Sequence, residues 1–236
     1  MAPDVAHSQS RRSAPTSGRP RRPTAPHDKQ LPSGRHGLSR RYVAGNQRRR
    51  ILDALVEVVA TYGCQAATVE RVAARAGVSR RTFYEQFADR ERAYVALYDG
   101  AARALRARVE LAVADAPERC AAGRLRAGLG ALLEGLASAP ELAFVCVVGV
   151  LSAGPGAIER RDAQMGAFAA LLDDVARACG GAPLPPLTAE GIVGAVHDVV
   201  YKRVAAGEAA ALPGLLDDLH RFCLMLFGDA TDPRDA

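Results

Sequence analysis

Ala76-Gly77-Val78-Ser79 decides the fold, together with Thr68-Val69-Glu70-Arg71-Val72-Ala73-Ala74-Arg75 before it and Arg80-Arg81-Thr82-Phe83-Tyr84-Glu85-Gln86-Phe87 after it. Thr68 is a capping residue type at the head of an apolar pattern, so a helix starts there with Val69, Val72, Ala73 and Ala76 on its inner face. Gly77 can take the left-handed conformation that a tight inter-helix turn needs, Val78 can plug the core, and Ser79 can cap the next helix. That third helix is short, with Phe83 and Phe87 one turn apart on its inner side. Arg81, Tyr84 and Glu85 then point outward, and Arg80 and Thr82 sit on the flanks. The pattern is a helix-turn-helix. Outward groups of this kind hydrogen-bond base edges and phosphates when such a helix enters a major groove. An ordinary polar helix face has the same periodicity, but an exposed aromatic beside two arginines directly after this turn argues against it.

Upstream, Ile51, Leu55, Val58 or Val59, and Tyr62 recur at spacings of three and four, which predicts a first helix from about Gln47 that Gly63 ends. Further upstream the composition changes. Residues 1–39 are rich in Pro, Ser, Gly and Arg and poor in large apolar side chains, so they cannot offset the entropy of ordering and are expected to form a disordered basic arm. Residues 1–50 hold 12 of the 31 Lys and Arg but only Asp4 and Asp28 as acids, a charge of +10 against −5 over the rest. Positive charge gathered at one end suits a polyanion. Two readings of the arm stay open: a tail that reaches around a duplex, and a solvated extension with weak nonspecific affinity.

The run A-G-V-S-x-x-T-F-Y-x-x-F-x-D-[KR]-E, carried by Ala76 through Glu91, resembles the DNA-binding segment of TetR-family regulators, and the similarity extends from about Gln47 to Tyr98. Leu31 through Arg40 is also similar to the lead-in of an actinobacterial subgroup. The resemblance implies that Thr82 and Tyr84 touch DNA, that Thr68 caps its helix, and that Arg90 holds a phosphate. Where most relatives carry Lys, Arg90 is expected to keep that contact with altered geometry. With Ser79, Arg80 and Arg81, these residues form the expected DNA-binding set.

Beyond Tyr98 the chain reads as helical throughout. A fourth helix is expected from Asp89 through Tyr94, Leu97, Tyr98, Ala101 and Leu105, followed by amphipathic stretches at Leu125–Leu136, Leu142–Leu151 and Ile158–Cys179. Two more are expected at Thr188–Ala206 and Pro213–Phe227, with Pro213 in a first turn. The fold class is all-α: a three-helix head over residues 40–92, then a helical effector-binding and dimerisation domain over 93–236. In the family the last two long helices pair with their symmetry mates. Small residues Gly191, Gly194 and Ala195 beside Ile192, Val196 and Val199 suit such close packing, and packing within one subunit explains them equally. The resemblance also implies an apolar effector pocket, with Tyr98, Phe144, Cys146, Met165, Phe168 and Tyr201 as its expected lining.

No phosphate-binding glycine loop, dinucleotide fingerprint or zinc-peptidase motif is present, and Ser152 lacks the glycine two residues earlier that a nucleophile elbow requires. His197 has no second residue at a metal-ligand spacing, and Cys64, Cys120, Cys146, Cys179 and Cys223 are too widely spaced for a metal or redox pair, so they read as buried thiols. No cofactor, metal or catalytic residue is expected. The expected partners are double-stranded operator DNA, a second copy of the chain and a small-molecule effector; the expected location is the cytoplasm, without a membrane association. The implied activity is that of a ligand-responsive repressor on a pseudo-palindromic operator, and activation would look the same in sequence.

Overall fold

A computed structural model describes residues 40–180 and 184–227. The basic arm over 1–39 lies outside the described residues. Four helices make and support the head: α1 (Arg40–Tyr62), α2 (Val69–Ala76), α3 (Arg80–Gln86) and α4 (Arg90–Ala114). Then follow α5 (Ala121–Ala137), α6 (Pro140–Val147), a 3-10 turn (Gly149–Ser152), α7 (Pro155–Ala178), α8 (Thr188–Ala205), a second 3-10 segment (Ala209–Leu215) and α9 (Leu216–Phe227). The described residues are all-α, as expected from the periodicity.

The head packs around Ile51, Leu55, Val59, Val72 and Phe83, all essentially without solvent contact. α1 starts at Arg40 rather than near Gln47; Tyr42, Val43 and Ala44 of its first turns are exposed or half-buried and give no buried apolar stripe to reveal it. Tyr62, expected on that stripe, is exposed. Its ring lies under the Arg71 guanidinium at 4.9 Å instead, while Ala54 and Val58 complete the buried face. Gly77 has φ 61° and ψ 39°, and its N–H closes α2. Any side chain there would meet the steric cost of the left-handed region.

This core does not stop at the end of α3. Tyr94, Leu97 and Tyr98 of α4 belong to it, as do Val145, Val150, Ala153 and Ala157. The buried Tyr94 hydroxyl donates to the Val145 carbonyl at 2.6 Å, which ties α4 to α6. A second cluster fills the body, with Leu125, Leu133, Ile192, Val200, Leu212 and Cys223 among its members. α4 thus borders both cores. Asp89 caps it, accepting from the Arg92 N–H at 2.7 Å.

Two expectations are corrected. Pro213 stands inside the 3-10 segment, and α9 begins only at Leu216. A proline tolerates the tighter, short segment and leaves the α-helix to start after it. Of the five cysteines, Cys64 and Cys223 are buried, Cys146 and Cys179 are half-buried, and Cys120 is exposed as the residue that precedes α5. Cys120 sits at a helix end, where solvent reaches it. No single helix among the described residues is long and apolar enough to cross a membrane.

Candidate nucleic-acid interface and ligand cavity

α2 and α3 are closed at both ends by side chains that satisfy their end groups. The Thr68 hydroxyl accepts from the Arg71 N–H at 3.3 Å, and that of Ser79 accepts from the Thr82 N–H at 3.0 Å. The Ser79 and Thr82 hydroxyls also bond to each other at 2.9 Å. At the other ends, Arg50 donates to the carbonyls of Ala76 and Gly77, the latter at 2.9 Å. Arg48 donates to the Gln86 carbonyl at 3.1 Å while its guanidinium lies over the Phe87 ring at 4.2 Å. These two arginines, which count toward the basic charge of residues 1–50, are committed inside the head. They satisfy carbonyls that helix C-termini leave open.

On this frame α3 presents the expected face. Ser79, Arg80, Arg81 and Tyr84 are exposed and Thr82 is half-buried. Tyr84 is 49% exposed and leans edge-on against Phe83, with ring centroids 5.7 Å apart, so the ring is steadied while its far side faces solvent. Arg80 pairs with Glu70 at 3.1 Å, and Arg81 with Glu85 at 3.0 Å. Exposed pairs of this kind are weak, so a phosphate can replace either carboxylate at small cost. Arg90 is placed differently. It is half-buried and donates through Nη1 to the Cys64 carbonyl at 2.7 Å, which ties the start of α4 to the loop after α1. Its remaining N–H groups are what it could offer to a phosphate.

The body holds a cavity of about 390 Å³ between α4, α5, α6, α7 and α8, with Cys223 of α9 also in its wall. α4 lines it from Tyr98 to Val113 and α7 from Arg161 to Val175. At ~1.5 Å rise per residue it is therefore elongated, roughly 20 Å from end to end. Four of the six expected lining residues are there: Tyr98, Cys146, Met165 and Phe168. Phe144 and Tyr201 are not. On α6 the wall is Leu142, Ala143, Cys146 and Val147, which turns Phe144 away, and on α8 the lining stops at Val200, one residue short of Tyr201. Both pack against the body core instead.

The polar members of the wall were missed in the sequence. Arg161 and Gln164 stand in phase with Met165, Phe168, Leu171, Leu172 and Val175 on the inner stripe of α7. Polar residues at core-facing helix positions were the available signal. His197 also lines the cavity, and burial together with the Arg161 charge pushes its pKa below the usual imidazole value. Burial raises the Cys146 thiol to about 12, and burial, then Cys146, raises the Tyr98 phenol. At neutral pH both keep their protons.

Head and cavity are joined at the start of α7. Gly154 has φ 131°, and a side chain there would strike the Glu91 carboxylate. Glu91, in the first turn of α4, accepts from the Gly156 N–H at 2.7 Å and so supplies the cap that α7 lacks from its own sequence. A carboxylate at a helix N-terminus is favoured by the helix dipole. Arg160 faces Asp99 across the same seam at 3.8 Å.

Residues 51–96 match the family model of the bacterial regulatory proteins, tetR family. No curated protein matches the chain. Among solved structures it is similar to the fatty acid degradation regulator FadR of Bacillus halodurans, with 21% identity, a TM-score of 0.67, and coverage of 80% of this chain and 96% of that one. FadR of Bacillus subtilis, solved in complex with stearoyl-CoA, is 20% identical with a TM-score of 0.65, covering 74% and 96%. A TetR-like transcriptional regulator of Rhodococcus sp. RHA1 is 18% identical with a TM-score of 0.59, covering 77% and 97%. At these identities the likeness concerns the fold.

Proposed function

We propose that the chain, whose residues 51–96 match the family model of the bacterial regulatory proteins, tetR family, is a ligand-responsive repressor that binds a pseudo-palindromic operator as a homodimer. The observation that carries the reading is the face of α3, where Arg80, Arg81 and Tyr84 stand exposed on a helix whose inner side is locked by Phe83 and Phe87. In this reading Tyr84 and Thr82 meet bases or sugars, Arg80, Arg81 and Arg90 meet phosphates, and Ser79 and Thr68 orient helix ends against the DNA backbone. Residues 40–92 read the DNA, and 93–236 bind the effector and dimerise. The outward side of α8, where Gly191 and Gly194 are open, and the exposed Met225 and Leu226 of α9 support a face that meets a second copy. The protein then works in the cytoplasm, where its operator lies, and carries no catalytic step.

The effector in this reading is a small, largely apolar molecule in the body cavity. Pockets of ~300–1,000 Å³ commonly hold such ligands, and the Bacillus subtilis neighbour was solved with a long-chain acyl compound. Recognition helices must stand ~34–36 Å apart to meet successive major grooves. Tyr98 belongs to the head core and lines the cavity, and Glu91 holds α7 to α4, so an occupant that shifts α7 would change that spacing.

The test is a mobility-shift titration of DNA from the promoter region of the protein's own gene. Wild type is expected to bind with an affinity that falls steeply with salt. Tyr84→Ala is expected to weaken specific binding by about 1–3 kcal/mol with an unchanged melting temperature. Full operator affinity in a folded Tyr84→Ala protein would remove α3 from the interface.

A further inference from the structure

The cavity wall is apolar along most of its length, yet its charged members are all of one sign. Arg108, Arg124 and Arg161 line it, and no Asp or Glu does among the described residues. Arg108 is answered by Glu134 at 3.0 Å. Arg161 is answered only in part. Its Nη1 bonds Asp162 at 2.7 Å, which anchors the guanidinium, while its Nε is buried with no hydrogen-bond partner among the described residues. The Nε2 of Gln164, three positions along the same face of α7, is buried and without a partner as well. Both are donors with no acceptor among the described residues, and buried donors of this kind are rare enough in folded proteins to need a reason.

We propose that this end of the cavity receives the oxygen-bearing head of an acyl compound, its carboxylate or carbonyl accepting from Arg161 Nε and Gln164 Nε2, while the apolar body lies along α4 and α7. The assignment rests on the ligand cavity of the proposed function and names the chemistry of its occupant. Tyr98 and His197 line the cavity too, and both feel the Arg161 charge. The protonated Tyr98 hydroxyl can supply a third donor. The acids nearby, Asp99, Asp162 and Asp198, affect Tyr98 or His197 from outside the lining, so none of them takes the place of an acceptor within it. At the far end Arg124 Nε is also buried without a partner, but it stands alone, with no second such donor beside it. Two such donors one helical turn apart favour the Arg161 end.

The experiment titrates the full-length protein with three probes that share one chain: dodecanoate, methyl dodecanoate and dodecyltrimethylammonium, each below its micelle concentration, by calorimetry. Dodecanoate is expected to bind at least about tenfold more tightly than the cation, a step the size of one hydrogen bond to a charged group. Methyl dodecanoate separates the two sources of the acceptor: affinity equal to dodecanoate assigns a carbonyl, and affinity lowered toward the cation assigns a carboxylate. Gln164→Leu and Arg161→Met are each expected to reduce dodecanoate binding about fivefold to tenfold and to leave the cation unchanged or tighter. Gln164→Leu keeps the Asp162 pair and serves if Arg161→Met unfolds. Equal binding of all three probes would overturn the head-group assignment and keep the cavity. Loss of dodecanoate affinity at Arg124→Met alone would move the head to the other end. No binding of any probe would remove the ligand cavity itself.

Discussion

Head and body differ in what their arginines do. In the head, arginines close helix ends: Arg48 and Arg50 bond the last carbonyls of α3 and α2, and Arg90 bonds Cys64. In the body, Arg124, Arg161 and Gln164 carry buried donor atoms with no partner among the described residues, around a cavity of about 390 Å³. The head leaves one buried atom without a partner among the described residues, the Asn46 Oδ1, and Asn46 does not line the cavity. The body has donors and space that an occupant could complete, so the difference separates a stiff reading surface from a part whose stability should respond to ligand.

The largest effect should come from breaking the stiff side. Phe83→Ala removes a fully buried ring between α1 and α2, and a loss of about 3–5 kcal/mol is expected in chemical denaturation. A near-neutral result would mean that the head core is looser than its packing suggests. Next, an occupant of the body at a hundredfold excess over its Kd should stabilise the chain by about 2.7 kcal/mol, through mass action. Ala101→Phe, which places a ring in the cavity, should abolish this shift for dodecanoate in a thermal melt and leave operator affinity in place. A persistent shift would put the ligand elsewhere.

Smaller changes test the seam between the regions. Glu91→Ala removes the carboxylate at the start of α7, worth about 0.3–1 kcal/mol as a charge at a helix end. Its sharper readout is linkage: the ratio of operator affinities with and without ligand should move toward one. An unchanged ratio would show that coupling runs through Tyr94 or Tyr98 instead. The smallest expected effect is a pH dependence. Burial lowers the His197 pKa below its ordinary 6.5, so the unfolded chain binds that proton more readily than the folded one. Stability should therefore fall as pH drops from about 6.5 through the lowered value and level off below it. His197→Phe should flatten this decline, and identical pH profiles would contradict the assignment.

The helix-turn-helix was legible in the sequence because every signal it needs is local. Thr68, Gly77 and Ser79 act on their own or neighbouring backbone, and Phe83 and Phe87 share a face by spacing alone. The six expected cavity residues fared less evenly. Tyr98, Cys146, Met165 and Phe168 reach the wall, while Phe144 and Tyr201 do not, since an apolar stripe tells that a residue is inside but not which interior it meets. Tyr62 failed for a related reason, at the last turn of α1, where the stripe runs past the core.

Residues that act within one or two helical turns were thus determined by sequence alone: the helix caps, the left-handed turn, the inner phenylalanines and the outward Arg81 and Tyr84. Tertiary structure decided what depends on several helices arriving together. Arg48 and Arg50 became internal ties only because α2 and α3 end beside α1, and Glu91 became the cap of α7 across 65 positions of chain. The cavity and its donors at Arg161 and Gln164 exist because six helices leave space that none of them encodes separately. Backbone preferences are set by near neighbours, whereas a void and its unmatched hydrogen bonds are properties of the packing as a whole.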